Sequence, residues 1–240
     1  MVKKVSEGDG EELLNAGWTF GGDTAKSFSS HVRSSVPFYE EGHDLTIKFS
    51  DYFVSDDSYV YEIGSSTGTL VRQLAKKHKH RQAKFIGIDS EEAMTHQAKS
   101  ETESLLPNLE FSTADVLEYE FKPSDLMVSY YVIQFISPSA RQLVIDKIYQ
   151  NLNWGGGFIW FEKVRAPDAR FQDYVTGLYN DYKLENNFTP DEILAKSRSL
   201  KKVLEPFSTA GNFGLLERAG FVDFMPIMKY LCFEGYIAIK

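Results

Sequence analysis

The chain is poor in cysteine: Cys232 is the only one in 240 residues. That excludes an internal disulfide and a thiolate-rich zinc site. It also lacks any run of about 18 consecutive apolar residues, so no membrane-spanning helix is expected. Basic residues are in the minority, with 26 Lys+Arg against 34 Asp+Glu and a net charge of −8. A protein that coats nucleic acid needs the opposite balance, so direct bulk nucleic-acid binding is not expected. There is no Walker A pattern, which argues against nucleotide hydrolysis. The five histidines (positions 31, 43, 78, 80 and 96) are scattered, and no metal site is expected. Met1 to Glu7 carries lysines but no apolar run of a signal peptide. A reducing, cytoplasmic location is the expectation.

What is present is an alternation of β and α patterns. Tyr59–Ile63, Lys84–Asp89, Leu109–Phe111, Leu126–Val132 and residues 157–162 read as strands. Amphipathic helices are expected between them, at about 43–54, after Gly68, from Ser90 as an N-cap, and at about 138–152. Strand–helix alternation with short Gly or Asp junctions predicts an α/β fold: a doubly wound, mostly parallel seven-stranded sheet. Two or three further helical stretches (about 168–185, 190–203 and 208–219) lead to Phe221–Met228 and Leu231–Ile239, read as a closing antiparallel hairpin. Residues 1–56 form an arm and helices that close the site; 57–240 form the main domain, with a helical insertion at about 166–206. Helices placed there lie over the carboxyl edges of the strands, where ligands of this architecture bind.

The candidate site starts at Glu62-Ile63-Gly64-Ser65-Ser66-Thr67-Gly68. An acidic residue ends a strand, and glycines let the chain turn sharply and approach a ligand closely. Taken alone, such a loop is also compatible with a plain βα turn. Asp89 ends the next strand, about where an acidic residue grips a ribose diol. Asp115, followed by Val116, comes just after the third strand and is placed to accept from an adenine amino group. A carboxylate under the loop repels pyrophosphate and suits a cationic ligand, which favours S-adenosylmethionine over a dinucleotide. His78-Lys79-His80-Arg81 reads as a solvated helix end, and Cys232 as a buried residue in mid-strand.

These features resemble class I S-adenosylmethionine-dependent, Rossmann-like methyltransferases over about residues 57–240. A closer resemblance, to the carboxy-S-adenosylmethionine synthases of tRNA wobble-uridine modification, covers nearly the whole chain. It rests on Trp18-Thr19-Phe20, Ser35-Val36-Pro37 with Tyr39, Ile133-Gln134-Phe135, Asp146-Lys147-Ile148-Tyr149-Gln150, Glu162-Lys163 and Ala219-Gly220-Phe221. The resemblance implies S-adenosylmethionine, S-adenosylhomocysteine or the carboxylated cofactor as ligand, and a homodimer. Cofactor contacts would come from Tyr39, Glu62, Gly64, Ser65, Ser66, Gly68, Asp89, Ser90, Asp115, Val116 and Tyr130. The chemistry it implies is activation of the methyl group and its capture by carbon dioxide released from prephenate.

Two positions depart from that family. Tyr130 stands where an asparagine is expected, and Ser197 stands where an arginine reads the product's carboxylate. Arg198, next to it, is the candidate substitute. The catalytic residues stay unassigned. An ordinary methyltransferase acting on a small molecule or RNA, and a cofactor-binding module without turnover, remain the alternatives.

Overall fold

The structure, a computed structural model, describes residues 32–102 and 106–240. The Trp18 segment of the expected arm lies outside the described residues. Seven strands form one sheet: β1 (Tyr59–Ile63), β2 (Lys84–Asp89), β3 (Leu109–Thr113), β4 (Ser124–Tyr130), β5 (Leu152–Lys163), β6 (Asp223–Tyr230) and β7 (Phe233–Ile239). Their order is β3-β2-β1-β4-β5-β7-β6. The first five are parallel, and β7 pairs antiparallel with both β5 and β6. The helices are α1 (Tyr39–Phe49), α2 (Thr69–Lys77), α3 (Glu92–Ser100), α4 (Arg141–Asn151), α5 (Ala169–Glu185), α6 (Pro190–Ser199) and α7 (Thr209–Ala219).

Period-two alternation explains why this sheet has two buried faces. Val60, Phe85, Leu126, Val128, Ile159 and Phe161 point to one face, where they meet Leu70, Val71 and Leu74 of α2. Tyr61, Ile86, Ile88, Met127, Phe158 and Trp160 point to the other, against Val144, Ile145 and Ile148 of α4 and Leu215 and Leu216 of α7. Each fully buried aliphatic or aromatic side chain contributes roughly 1.5–3 kcal/mol, so both helix layers are held by packing rather than by helix propensity. α2 shows the pattern most clearly: its buried residues Leu70, Val71, Leu74 and Ala75 follow the 3.6-residue period.

Several boundaries differ from the sequence reading. The helix expected at about 43–54 begins at Tyr39 and gives way after Phe49 to a 3-10 turn at Ser50–Tyr52. Glu91, not Ser90, precedes α3, with no side-chain cap. β4 stops at Tyr130, because Tyr131 takes a left-handed φ of 62°. The hairpin starts at Asp223: Gly220, at φ 113°, ends α7, and Phe221 turns inward onto Tyr149 and Phe158. Cys232 is buried as expected but sits in the turn between β6 and β7, not within a strand. His78 is not solvated. It is buried, with Nε2 2.7 Å from Ser50 Oγ.

Because β1 to β5 run parallel, their carboxyl ends gather on one edge. The chain leaves β1 towards β2 on one side and reaches β4 on the other, and ligands of doubly wound sheets bind at this reversal.

Candidate functional site

The loop after β1 is held by its neighbours' backbone. Gly64 and Ser65 donate their N–H groups to Ile88 O, at 2.7 and 2.9 Å. Gly64, Ser66 and Gly68 all have positive φ, at 68°, 49° and 76°. A Cβ at Gly64 would lie 2.4 Å from the Val132 side chain. Glycine is therefore required there by the protein's own packing, and a bulkier residue would damage the fold before it met a ligand.

Two carboxylates are tied into this loop. Asp89 Oδ2 accepts from Ser66 N–H at 2.8 Å, and Oδ1 accepts from Glu91 N–H at 2.9 Å. Each oxygen keeps a second acceptor position. Glu62 Oε2 accepts from Val71 N–H at 2.9 Å, at the start of α2. Burial pushes the Glu62 carboxyl up to about 8, with the Asp89 charge adding to the rise and the Val71 hydrogen bond opposing it. Burial also raises Asp89, against its two backbone donors. The third carboxylate, Asp115, is exposed and accepts from Leu117 N–H at 2.7 Å. All three line one cavity of about 1660 Å³, together with Ser65, Ser66, Ser90, Val116 and Met94.

Aromatic groups close the middle of the cavity. Tyr130 donates its hydroxyl to Tyr39 O at 2.6 Å, and the two rings meet edge to face at 5.1 Å. Gly42 permits this, since a Cβ there would lie 2.1 Å from the Tyr130 hydroxyl oxygen. Burial pushes the Tyr39, Tyr130 and Tyr131 hydroxyls upward, so all three stay protonated. It pushes neighbouring His43 down to about 4, leaving it neutral. Ser65 Oγ and the Tyr131 hydroxyl, both buried on the cavity wall, have no hydrogen-bond partner among the described residues.

The end of β5 and helices α5 and α6 also contribute to the lining, and they bring cations to it. Lys163, Arg165, Lys183 and Lys196 line the cavity, as does Ser197. Arg198 does not: it is exposed and absent from the lining. Arg198 could therefore serve as the candidate reader of a ligand carboxylate only if α6 turned or shifted. One helical step, about 100°, turns it out of the wall that Ser197 faces.

Lys163, Lys183 and Tyr131 also line the cavity. The sequence reading quoted Lys163 only within Glu162-Lys163 and gave none of the three a cofactor contact, and Lys183 carries only a weak signal, one helical turn beyond Tyr179. Tyr39, Glu62, Gly64, Ser65, Ser66, Asp89, Ser90, Asp115, Val116 and Tyr130 are all brought onto the cavity; Gly68 stands behind it, its Cβ position 2.5 Å from the Phe111 ring.

A methyltransferase-domain family model matches residues 60–156. The chain is 38% identical over 224 residues to a carboxy-S-adenosyl-L-methionine synthase of Staphylococcus epidermidis, covering 93% of this chain and 97% of that protein. It is 34% identical to the synthase of Nautilia profundicola, with 92% and 94% covered. Among solved structures, an O-methyltransferase family protein from Burkholderia thailandensis superposes with a TM-score of 0.62 at 15% identity, covering 90% of this chain and 59% of that one. Human N-acetylserotonin methyltransferase in complex with S-adenosylmethionine gives 0.57 at 16% identity, covering 90% and 53%. At such identities the structural matches speak for the fold alone.

Proposed function

The chain belongs to the carboxy-S-adenosyl-L-methionine synthase family, and from that premise we propose that it converts S-adenosylmethionine to the carboxylated cofactor, with prephenate supplying the carboxyl group. The reading extends to service in tRNA wobble-uridine modification, in the cytoplasm, as a homodimer. No helix among the described residues is long and apolar enough to cross a membrane. Phe171, Tyr174 and Leu178, at i, i+3 and i+7 on α5, are 45%, 59% and 53% exposed, an apolar stripe that supports self-association.

The residues present fit S-adenosylmethionine. Asp89 has two acceptor positions left for a ribose diol, Asp115 and Val116 flank a site for adenine, and Glu62 is placed to give up its proton and become the counter-charge of a cationic amino-acid part. Ser65 Oγ is a buried hydroxyl still in need of a partner. The bound cofactor supplies the reactive methyl group. This chain's own work is to hold that methyl group away from water and in line with its partner, which can remove a large part of the barrier.

One observation carries the proposal: the strand-end carboxylates Glu62, Asp89 and Asp115 and the lysines Lys163, Lys183 and Lys196 line a single cavity. Its volume of about 1660 Å³ exceeds the roughly 300–1,000 Å³ of ordinary small-molecule sites, leaving room for cofactor and an acidic co-substrate together. Ser197 at the family's arginine position supports the second reading, an ordinary methyltransferase. Incubating the purified protein with S-adenosylmethionine and prephenate, and analysing the products by mass spectrometry, separates the two. Carboxy-S-adenosylmethionine is the expected product. Its absence under conditions where the protein binds S-adenosylmethionine would leave the methyltransferase reading.

A further inference from the structure

We propose that Lys163 and Lys183 together form an anion subsite that takes a ligand carboxylate at the insertion end of the cavity, in place of the arginine that Ser197 replaces. The inference rests on the synthase reading for the nature of its ligand, but not for the site itself.

Lys163 closes β5, and its Nζ lies 4.3 Å from the centroid of the Tyr179 ring and 5.7 Å from that of Phe233. Lys183, one turn beyond Tyr179 on α5, places its Nζ 4.5 Å from the same Tyr179 ring. That ring is fixed, because its hydroxyl donates to Ser35 O at 2.8 Å. Two ammonium groups therefore share one aromatic ring on the cavity wall. No carboxylate among the described residues lies within 4.0 Å of either.

The other charged and titratable groups nearby do not offset them. Arg165 adds positive charge beside Lys163. Burial raises the Cys232 thiol, so it stays protonated and neutral at neutral pH. Glu192 on the same wall is held in the capping box of α6 by Thr189. Burial lowers Lys163, and it lowers Lys183 to about 8 with the charge of Lys163 as the next cause.

Two desolvated cations on one ring, each raising the cost of charging the other and without a counter-charge, are costly, and the aromatic face offsets only part of that cost. A ligand carboxylate reaching both would offset the rest through charge-assisted hydrogen bonds. The carboxylate has two sources, the carboxylated cofactor or a separate acidic co-substrate. The volume of the cavity admits either.

The test uses full-length wild type, Lys163→Met, Lys183→Met and the double variant. Methionine keeps the stem's shape, and a cooperative melt at or above the wild-type temperature certifies the fold. Three readouts follow: the melting shift with malonate, the ratio of dissociation constants for S-adenosylmethionine and its carboxylated form, and prephenate affinity with S-adenosylhomocysteine bound. Malonate should raise the wild-type melting temperature and have no effect on the double variant. A fall of at least tenfold in the preference for carboxylated cofactor assigns the subsite to the cofactor; an equal fall in prephenate affinity assigns it to the co-substrate. Malonate stabilisation lost in the variants, with no carboxylated product from wild type, would keep the subsite and overturn the synthase reading. Product formed alike by wild type and double variant, with all three readouts unchanged, would overturn the subsite and keep the synthase reading.

Discussion

Where the loops after the strands line the cavity, Asp89 and Glu62 are held by backbone N–H donors; where β5 ends and α5 passes, Lys163 and Lys183 are held against an aromatic ring. Asp89 is pinned by two directional hydrogen bonds from Ser66 and Glu91, and Glu62 by one from Val71. Lys163 and Lys183 rest against Tyr179 by a contact with little angular demand. The first construction suits a ligand part whose hydroxyls must meet fixed acceptors. The second tolerates a carboxylate whose position varies. The acidic end is therefore the preorganised one, and substitutions there should have the larger effect on cofactor binding.

The sharpest break of that contrast is Asp89→Ala. It removes the acceptor for a ribose diol and also releases the Ser66 and Glu91 N–H groups. Hydrogen bonds to a charged group are worth about 1.5–3 kcal/mol, or roughly 10- to 150-fold in affinity. Calorimetry should show S-adenosylmethionine binding weakened by that factor. Unchanged affinity in a folded variant would take Asp89 out of the site.

The same contrast governs what could be read before the structure was known. The acidic end is local in sequence: each carboxylate closes or follows a strand, and Gly64 and Gly68 punctuate the turn between them. Strand-end placement then follows from the parallel topology, so three residues far apart in the chain could be put on one edge. The cationic end has no such grammar. Lys163 looks like any strand-end lysine and Lys183 like a solvated residue of an amphipathic helix; only the packing of α5 over the sheet edge turns both inward. Boundaries failed where tertiary contacts overrode local pattern. α1 starts at Tyr39, after Phe38 takes a left-handed φ of 55°, with Gly42 in its first turns packed on Tyr130, and Tyr131 leaves β4 by taking a left-handed conformation. The packing demand for glycine at position 64 has the same origin, since the Val132 side chain that imposes it lies beyond β4.

Glu62→Gln should have a smaller effect and should sharpen the comparison through pH. In the ligand-free protein Glu62 is raised from 4.5 to about 8. Between these values the folded chain holds a proton that the unfolded chain has lost, so stability falls as pH rises. Glu162, also pushed up to about 8 by burial, adds the same fall to both proteins, and only their difference belongs to Glu62. The variant's stability should therefore decline less steeply from about pH 5 to 8 in thermal melts. Binding a cation beside Glu62 lowers its pKa and expels the proton. Titrations near pH 7 in buffers of different ionisation enthalpy should show proton release for wild type and less for the variant. Affinity for S-adenosylmethionine should drop about tenfold, the roughly 1.4 kcal/mol of one pK unit. Equal proton release by the two proteins would show that Glu62 does not sense the ligand.

The smallest effect is expected at Arg198, the residue that sequence alone nominated as the carboxylate reader. Lys196 and Ser197 face the cavity, whereas Arg198 projects into solvent. A charge in water is screened and already solvated, so removing it costs the ligand little. Arg198→Ala should change the dissociation constants of S-adenosylmethionine and its carboxylated form by no more than about twofold, within the ~0.5 kcal/mol of ordinary surface substitutions. Measured beside Lys163→Met and Lys183→Met, it divides the insertion into a wall that reads the ligand and a surface that does not. A tenfold loss of affinity for the carboxylated cofactor alone would mean that α6 turns by about one residue when ligand binds. It would return the carboxylate to the helix on which the family carries its arginine.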